Sequence, residues 1–552
     1  MLVAISVIDG LRVAARLATS AVVVAIGFMV VTPLIGRVPW GFSVLGTLIA
    51  AIATGVRFGP GEGVQVDRAR PAWCALGVLC LQSLLWMVLG TTLICAALIA
   101  VAAVMAASTA MGFRAAVQMD EAALRVGKPI LQPVRRLVSG ITRWWVRPST
   151  ASSRWAGVIA VVMSAPVFWR LASSEELLVR GTNDFEAHVR RAEAITLSPF
   201  FMSVPHPGWH ITFLGVETVV GRQLGIVLIG SIAMGVLVGL LASLGRSDWD
   251  DVPPMNQWLA GIFGLSYLLM ENIGQLVPRG ESWWQRLDIV GLRARGPSFY
   301  PIHLWGSPTI TLSLPLALLM TLLVLLSVRG DLDRARRHRL ALLVTTLITT
   351  MVLPAATLVL VPAVPVYLVI SGRLTRDRLA VLVPFFLIPG ALVCVFQTMF
   401  LASGVSSFER TGWRWNPGWI IRYVGMDRPV FWLVVLIAPA GCWLLGRRFF
   451  GDPAVGLSGA AFIIALLPML LLQQTAADKA ADGDLGMPAL FAAIFFVVFA
   501  SRMMLVELVR VWNRRREQPI SPAAVTGALV LALMLCAGAI DYLSATGVIP
   551  EI

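Results

Sequence analysis

SPTITLSLPLALLMTLLVLLSVRGDLDRARRHR, residues 307–339, decides the fold. Its first 22 residues, 307–328, carry no charge, and a helix needs about 20 apolar residues to cross a hydrocarbon core. The turn that follows, Arg329 to Arg339, holds five arginines. Arginine-rich turns stay on the cytoplasmic side of a membrane. The stretch therefore reads as a transmembrane helix ending in a cytoplasmic turn. At its start, Ser307-Pro308-Thr309 has two readings: a helix start with a cap and a first-turn proline, or part of a groove for a lipid phosphate or an acceptor.

The rest of the chain has the same character. Of its 552 residues 58% are hydrophobic and 13% charged, with a mean hydropathy of +0.82. Soluble domains carry about 25% charged residues. The net charge of +14 comes almost wholly from arginine, since lysine occurs only at 128 and 479. Those arginines cluster between apolar runs and no nucleic-acid-binding motif accompanies them, which points to loops facing anionic lipid and excludes a nucleic-acid partner. All six cysteines lie inside apolar runs, so neither disulfides nor a thiolate metal site is expected. The first apolar run, Ala18 to Leu34, exceeds the core of a signal peptide and reads as a retained span.

Spans are predicted near 18–35, 40–58, 73–90 and 91–113, then, after a basic linker at 114–154, near 155–171, 224–244, 257–275, 307–328, 340–353, 354–372, 378–402, 430–447, 456–474, 488–510 and 523–544. The expected fold is thus all-α and polytopic, with roughly 15 transmembrane helices. It divides into an N-terminal four-helix module (1–113), the cytoplasmic linker (114–154) and a main body (155–552). Residues 340–372, split by Pro354, have a second reading as one re-entrant unit. Trp209 to Val220 is too short to span, and treating it as interfacial keeps the turns at Arg329–Arg339, Arg447–Arg448 and Arg510–Arg516 cytoplasmic. Three segments are left outside: 174–223, 276–306 and 403–429, the last a Trp- and Arg-rich layer at the bilayer surface.

The first of these segments is TNDFEAHVRRAEAITLSPFFMSVPHPGWHI, 182–211. On a helix, Asp184, His188 and Arg191 fall on one face, with Glu186, Arg190 and Glu193 on another. A carboxylate beside the membrane is costly and hence a site candidate: Asp184 would take a proton from an attacking hydroxyl while Arg191 holds a phosphate. The plainer reading is an acidic residue favouring its helix dipole. His188 would be oriented by Asp184 or bind sugar hydroxyls, and His206 and His210 belong either to the site or to a structural turn. Metal binding by these residues is not expected, since their spacing fits no zinc pattern. Further on, FYPIHLWGSPTITLSLPLALL (299–319) brings His303 and Trp305 to the point where the chain re-enters the membrane.

NDFEAHVRRAEAI followed by HPGWHITFL resembles the GT-C superfamily, polytopic glycosyltransferases that use polyprenyl-phosphate sugars. IHLWGSPTITLSLPLAL is similar to a segment of bacterial members, and a fainter likeness runs through DGDLGMPALFAAIFFVVFASRMML, 482–505. The likeness covers about 155–545. It implies a GT-C-like core in a bacterial plasma membrane, moving a sugar from a polyprenyl-phosphate donor to a lipid or glycan acceptor on the extracytoplasmic face. Asp184 occupies the position of the family's catalytic carboxylate, with Glu186 and His188 assisting. Arg191, Arg293 and Arg295 would hold the leaving phosphate, and His206, His210, His303 and Trp305 would line the substrate site. No cofactor is required, because the leaving group is already an activated anion. Two rival classes are a flippase or transporter of lipid-linked cargo and a subunit of an envelope assembly. The central spans hold few charges, Glu271 and Asp541 sitting near span ends, which disfavours coupled transport.

Overall fold

A computed structural model of the chain describes residues 148–173, 185–194, 208–246, 308–402, 412–415, 430–475, 486–515 and 518–545, and elements are numbered within these. The N-terminal module, most of the linker, the span expected at 257–275 and the segment 276–306 lie outside them.

Helices α1 (Pro148–Ser173) and α4 (Arg222–Arg246) pair along their lengths because glycines let the backbones close. A Cβ on Gly235 would lie 2.4 Å from Val161 Cγ2 and 2.9 Å from Gly157 O. The Phe168 ring fills the space beside Gly230. These contacts pair the two helices in opposite order, so they are antiparallel. Lipid gives helices no hydrophobic reason to associate, and close packing across small residues supplies it instead. Helix α1 begins at Pro148, so its first turns lie in the basic stretch that precedes the apolar span Trp155–Ser173.

Helix α5 (Pro308–Arg329) is the centre of the bundle, buried at every residue from Pro308 to Val328. Pro308 opens it at a position where the missing N–H costs no intrahelical bond, which is the cap reading of Ser307-Pro308-Thr309. Gly330, at φ +91, turns the chain into the short α6 (Leu332–Arg337), whose cap Asp331 accepts a bond from Arg334 N. Helices α7 (Arg339–Val352) and α8 (Ala355–Ile370) fold back on each other at Leu353-Pro354, and the Thr350 and Thr357 hydroxyls meet at 2.9 Å across that tip. Gly390 of α10 fits against both arms, its Cβ position 2.8 Å from Thr357 Cγ2 and 3.4 Å from Thr346 Cγ2. A π turn at Val383–Leu387 joins α9 (Arg376–Leu382) to α10 (Ile388–Ala402); Pro384 has no N–H to give, and the N–H of Ile388 reaches back to Val383 O.

The remaining helices are α11 (Val430–Leu445), α12 (Arg448–Gly451), α13 (Pro453–Leu471), α14 (Gly486–Asn513) and α15 (Pro522–Ala545). Gly459 of α13 faces Phe496 of α14, and Phe449 and Phe450 close on the same ring at 6.0 and 6.1 Å between centroids. One feature departs from an all-helical chain. Gly412–Trp415 and Leu472–Thr475 form a two-stranded antiparallel ribbon, Gly412 opposite Thr475. The Trp-rich segment expected to lie flat at the surface is thus partly a strand, and α13 stops at Leu471 instead of running to 474.

Among the described residues five helical stretches are long and apolar enough to cross a membrane: Trp155–Ser173, Arg222–Ala242, Pro308–Arg329, Arg376–Val395 and Pro488–Trp512. Shorter apolar helices accompany them, among them Ala355–Ile370 and Pro453–Leu467. By length and composition these are the helices of an integral membrane protein. Arg329 meets Asp452 at 4.0 Å and Arg336 meets Asp377 at 3.0 Å, which draws the end of α5, α6 and the starts of α9 and α13 to one end of the bundle. Gly527 of α15 faces both Leu444, at the end of α11, and Leu508 of α14, so Arg510 lies toward that same end.

Candidate functional site

Two short helices, α2 (Phe185–Ala194) and α3 (Gly208–Val220), build the site. At 13 residues α3 rises about 20 Å, too little to span. It ends at Gly221, whose φ of +84 and N–H bond to Glu217 O at 2.7 Å make a left-handed stop that lets α4 start at Arg222. Its other end touches the α7–α8 tip: a Cβ on Gly208 would lie 2.8 Å from the backbone of Met351 and Val352. Because α7 starts at Arg339 in the arginine-rich end and finishes at Val352, α3 begins toward the opposite end.

Within this corner His188 Nδ1 and His210 Nε2 are 2.9 Å apart, both rings buried. One ring must donate and the other accept, so the accepting nitrogen carries no proton. Trp209 meets both imidazoles edge-on, at 5.9 Å from His188 and 5.6 Å from His210, and stacks on Phe213 at 5.1 Å with the rings 5° from parallel. That stack is an i,i+4 contact along α3. It buries two aromatic side chains where α3 meets its neighbours and fixes the turn that presents His210. The apolar wall keeps the two imidazoles in low dielectric, where a shared hydrogen bond is worth more than in water.

The structure brings His188 and His210 together. Val189 and Ala192 are buried with His188, whereas Arg190, Arg191 and Glu193 are exposed. Three residues is about 300° of helix rotation, so Arg191 sits some 60° from His188 on the side away from the apolar face. The imidazole is thus turned inward while the guanidinium stands at the exposed edge of the same helix. Asp184, His206, Arg293, Arg295, His303 and Trp305 lie outside the described residues, as does the side chain of Glu186 within α2. Among the described residues no three His, Cys, Asp or Glu side chains are grouped to hold a metal.

Sequence reasoning passed over Arg502. It lies inside α14, in the apolar stretch Pro488–Trp512, and its side chain is almost wholly buried. An ionisable side chain within a span is expensive and marks function by default. The signal stood in the sequence, a single arginine in FFVVFASRMML, and was diluted by averaging over an apolar window. It adds a mid-span charge to a reading that named only Glu271 and Asp541, both near span ends.

An integral membrane bundle with a buried imidazole pair toward the end away from its arginine-rich turns is the class of protein this geometry defines. Searches against protein-family models, curated proteins and solved structures return no match.

Proposed function

We propose that the protein is a GT-C-like glycosyltransferase of roughly 15 spans in a bacterial plasma membrane, acting on the extracytoplasmic face. It takes a sugar from a polyprenyl phosphate and gives it to a lipid or glycan hydroxyl. The observation that carries this reading is the buried His188–His210 bond. It joins α2, which directly follows Asp184 in sequence, to α3, whose start packs on the α7–α8 tip. Asp184, immediately before α2 in sequence, removes the acceptor hydroxyl's proton as that oxygen attacks the anomeric carbon, and the polyprenyl phosphate leaves as an anion. Glu186 and the His188–His210 pair orient the acceptor, and His206, His303 and Trp305 line its path. Arg191, Arg293 and Arg295 hold the departing phosphate. General-base removal costs about 10²–10⁴ in rate. Purified full-length protein should transfer label from a polyprenyl-phosphate hexose to membrane lipid extract, and Asp184→Asn should lose at least about a hundredfold. Undiminished transfer by the variant overturns the assignment.

Arg502 supports a second reading, a flippase of lipid-linked anionic cargo, in which the buried guanidinium meets the cargo's phosphate inside the membrane. Arg502→Met separates the two. In a transferase of the kind proposed, transfer per folded molecule stays intact, because Arg502 takes no part in the reaction. In a flippase it abolishes movement of a fluorescent polyprenyl-phosphate sugar across proteoliposomes, which Asp184→Asn leaves unchanged.

A further inference from the structure

Where α8 ends and α9 begins, the chain crosses from an apolar helix to a basic turn. On α8 the side chains of Leu358, Val366, Val369 and Ile370 recur at helical spacing and are exposed, Ile370 to 77%. Leu374 continues the strip past the helix end, 47% exposed. Arginines flank it at 373 and 376. The turn itself is held in place: Gly372 takes φ +65, and Arg378 donates to the carbonyl of Arg373. Arg376 lies exposed and Arg373 half-buried. Neither has an acidic partner among the described residues.

Elsewhere at the arginine-rich end most arginines are engaged, although Arg447 and Arg448, exposed at their own turn, also have no acidic partner among the described residues. There Arg334 pairs with Asp331, Arg336 with Asp377, Arg329 with Asp452 and Arg510 with Glu507. Arg339 lies over Phe385 and Arg515 over Trp512. Asp377, the acid nearest in sequence, is taken by Arg336. Two unmatched cations therefore stand at the foot of a continuous apolar strip, and that combination fits one kind of molecule: an anion carried on hydrocarbon chains. We propose that the α8–α9 corner binds an anionic phospholipid, with Arg373 and Arg376 on its phosphate and the exposed strip of α8 along its acyl chains. Planar guanidinium donors suit a phosphate diester, and the strip gives the acyl chains a packing surface beneath it. This site is independent of the proposed sugar transfer and lies toward the other end of the bundle.

Native mass spectrometry of the full-length protein, titrated with phosphatidylglycerol or phosphatidylcholine, tests it. One phosphatidylglycerol should bind with clear preference over phosphatidylcholine. Each arginine near an anionic lipid is worth about a fivefold change, so R373Q/R376Q should bind about 25-fold more weakly. R373K/R376K, which keeps both charges, should retain most of the affinity and guards against loss through misfolding. R447Q/R448Q, at an exposed basic turn elsewhere on the same end, should bind as the wild type does. Ile370→Asn should weaken binding, and millimolar inorganic phosphate should not compete. The site is overturned if R373Q/R376Q binds as before, if R447Q/R448Q weakens it equally, if both lipids bind alike, or if inorganic phosphate displaces the lipid.

Discussion

The two imidazoles of His188 and His210 are held by one bond, and its energetics can be read directly. A hydrogen bond adds a net ~1 kcal/mol to stability, but a buried group that loses its partner costs about 1–3 kcal/mol. Single substitutions His188→Ala and His210→Ala should each destabilise by about 2 kcal/mol, while the double variant should cost clearly less than their sum. Equilibrium unfolding in mixed micelles measures this cycle; strict additivity would show that the rings do not act as a unit. Both histidines are plain in the sequence, yet their contact is not. They stand 22 residues apart, and the proline-rich stretch between them leaves the approach of α2 to α3 undetermined. The same holds for Arg191. Helical spacing places it near His188, but only the packing of Val189 and Ala192 decides which side of the ring faces inward. Arg502 is the opposite case, visible as a letter and hidden by the window average that finds spans.

Elements were far more legible than contacts, because their limits are written in proline, glycine and charge. The run read at 307–328 is α5, Pro308–Arg329, and the short piece read at 209–220 is α3, Gly208–Val220. What the sequence withheld is the pairing of Gly412–Trp415 with Leu472–Thr475, since two four-residue strands 57 residues apart carry no local period. Two glycines on α3 separate the effects of space and of backbone angle. At Gly208 a methyl group would meet backbone atoms of Met351 and Val352 at 2.8 Å, which no rotamer change relieves. At Gly221 the space is open and only the φ of +84 resists. Gly221→Ala should therefore cost about 1–2 kcal/mol. Gly208→Ala must push α3 off the α7–α8 tip, at about 1–3 kcal/mol, and carry His210 with it. The discriminating readout is the imidazole pair: a histidine NMR signal for the shared proton should survive Gly221→Ala and vanish in Gly208→Ala. If both variants keep it, α3 is not positioned by that tip.

At the scale of the molecule, the charge distribution and the helix directions make one prediction. Ion pairs from Arg329 to Asp452 and from Arg336 to Asp377 tie three turns to one end, and the direction of α14 adds the turn at Arg510–Arg515. The α7–α8 tip and the start of α3 lie toward the other end. A turn dense in arginine resists translocation, so the whole arginine-rich end should face the cytoplasm. In a background freed of its six cysteines, single cysteines at Arg336, Arg376, Arg448 and Arg515 should react with an impermeant maleimide in inverted vesicles and not in intact cells. A cysteine at Arg190, exposed on α2, should show the reverse. The four basic turns must agree with one another, since the bundle ties their ends together. If Arg190 sides with them, the imidazole pair faces the cytoplasm, and a donor presented on the outer face could not reach it. The helices and their contacts would stand in either case, because nothing in their packing depends on which way the bundle is inserted. Orientation is therefore the point at which the architecture and the proposed chemistry part.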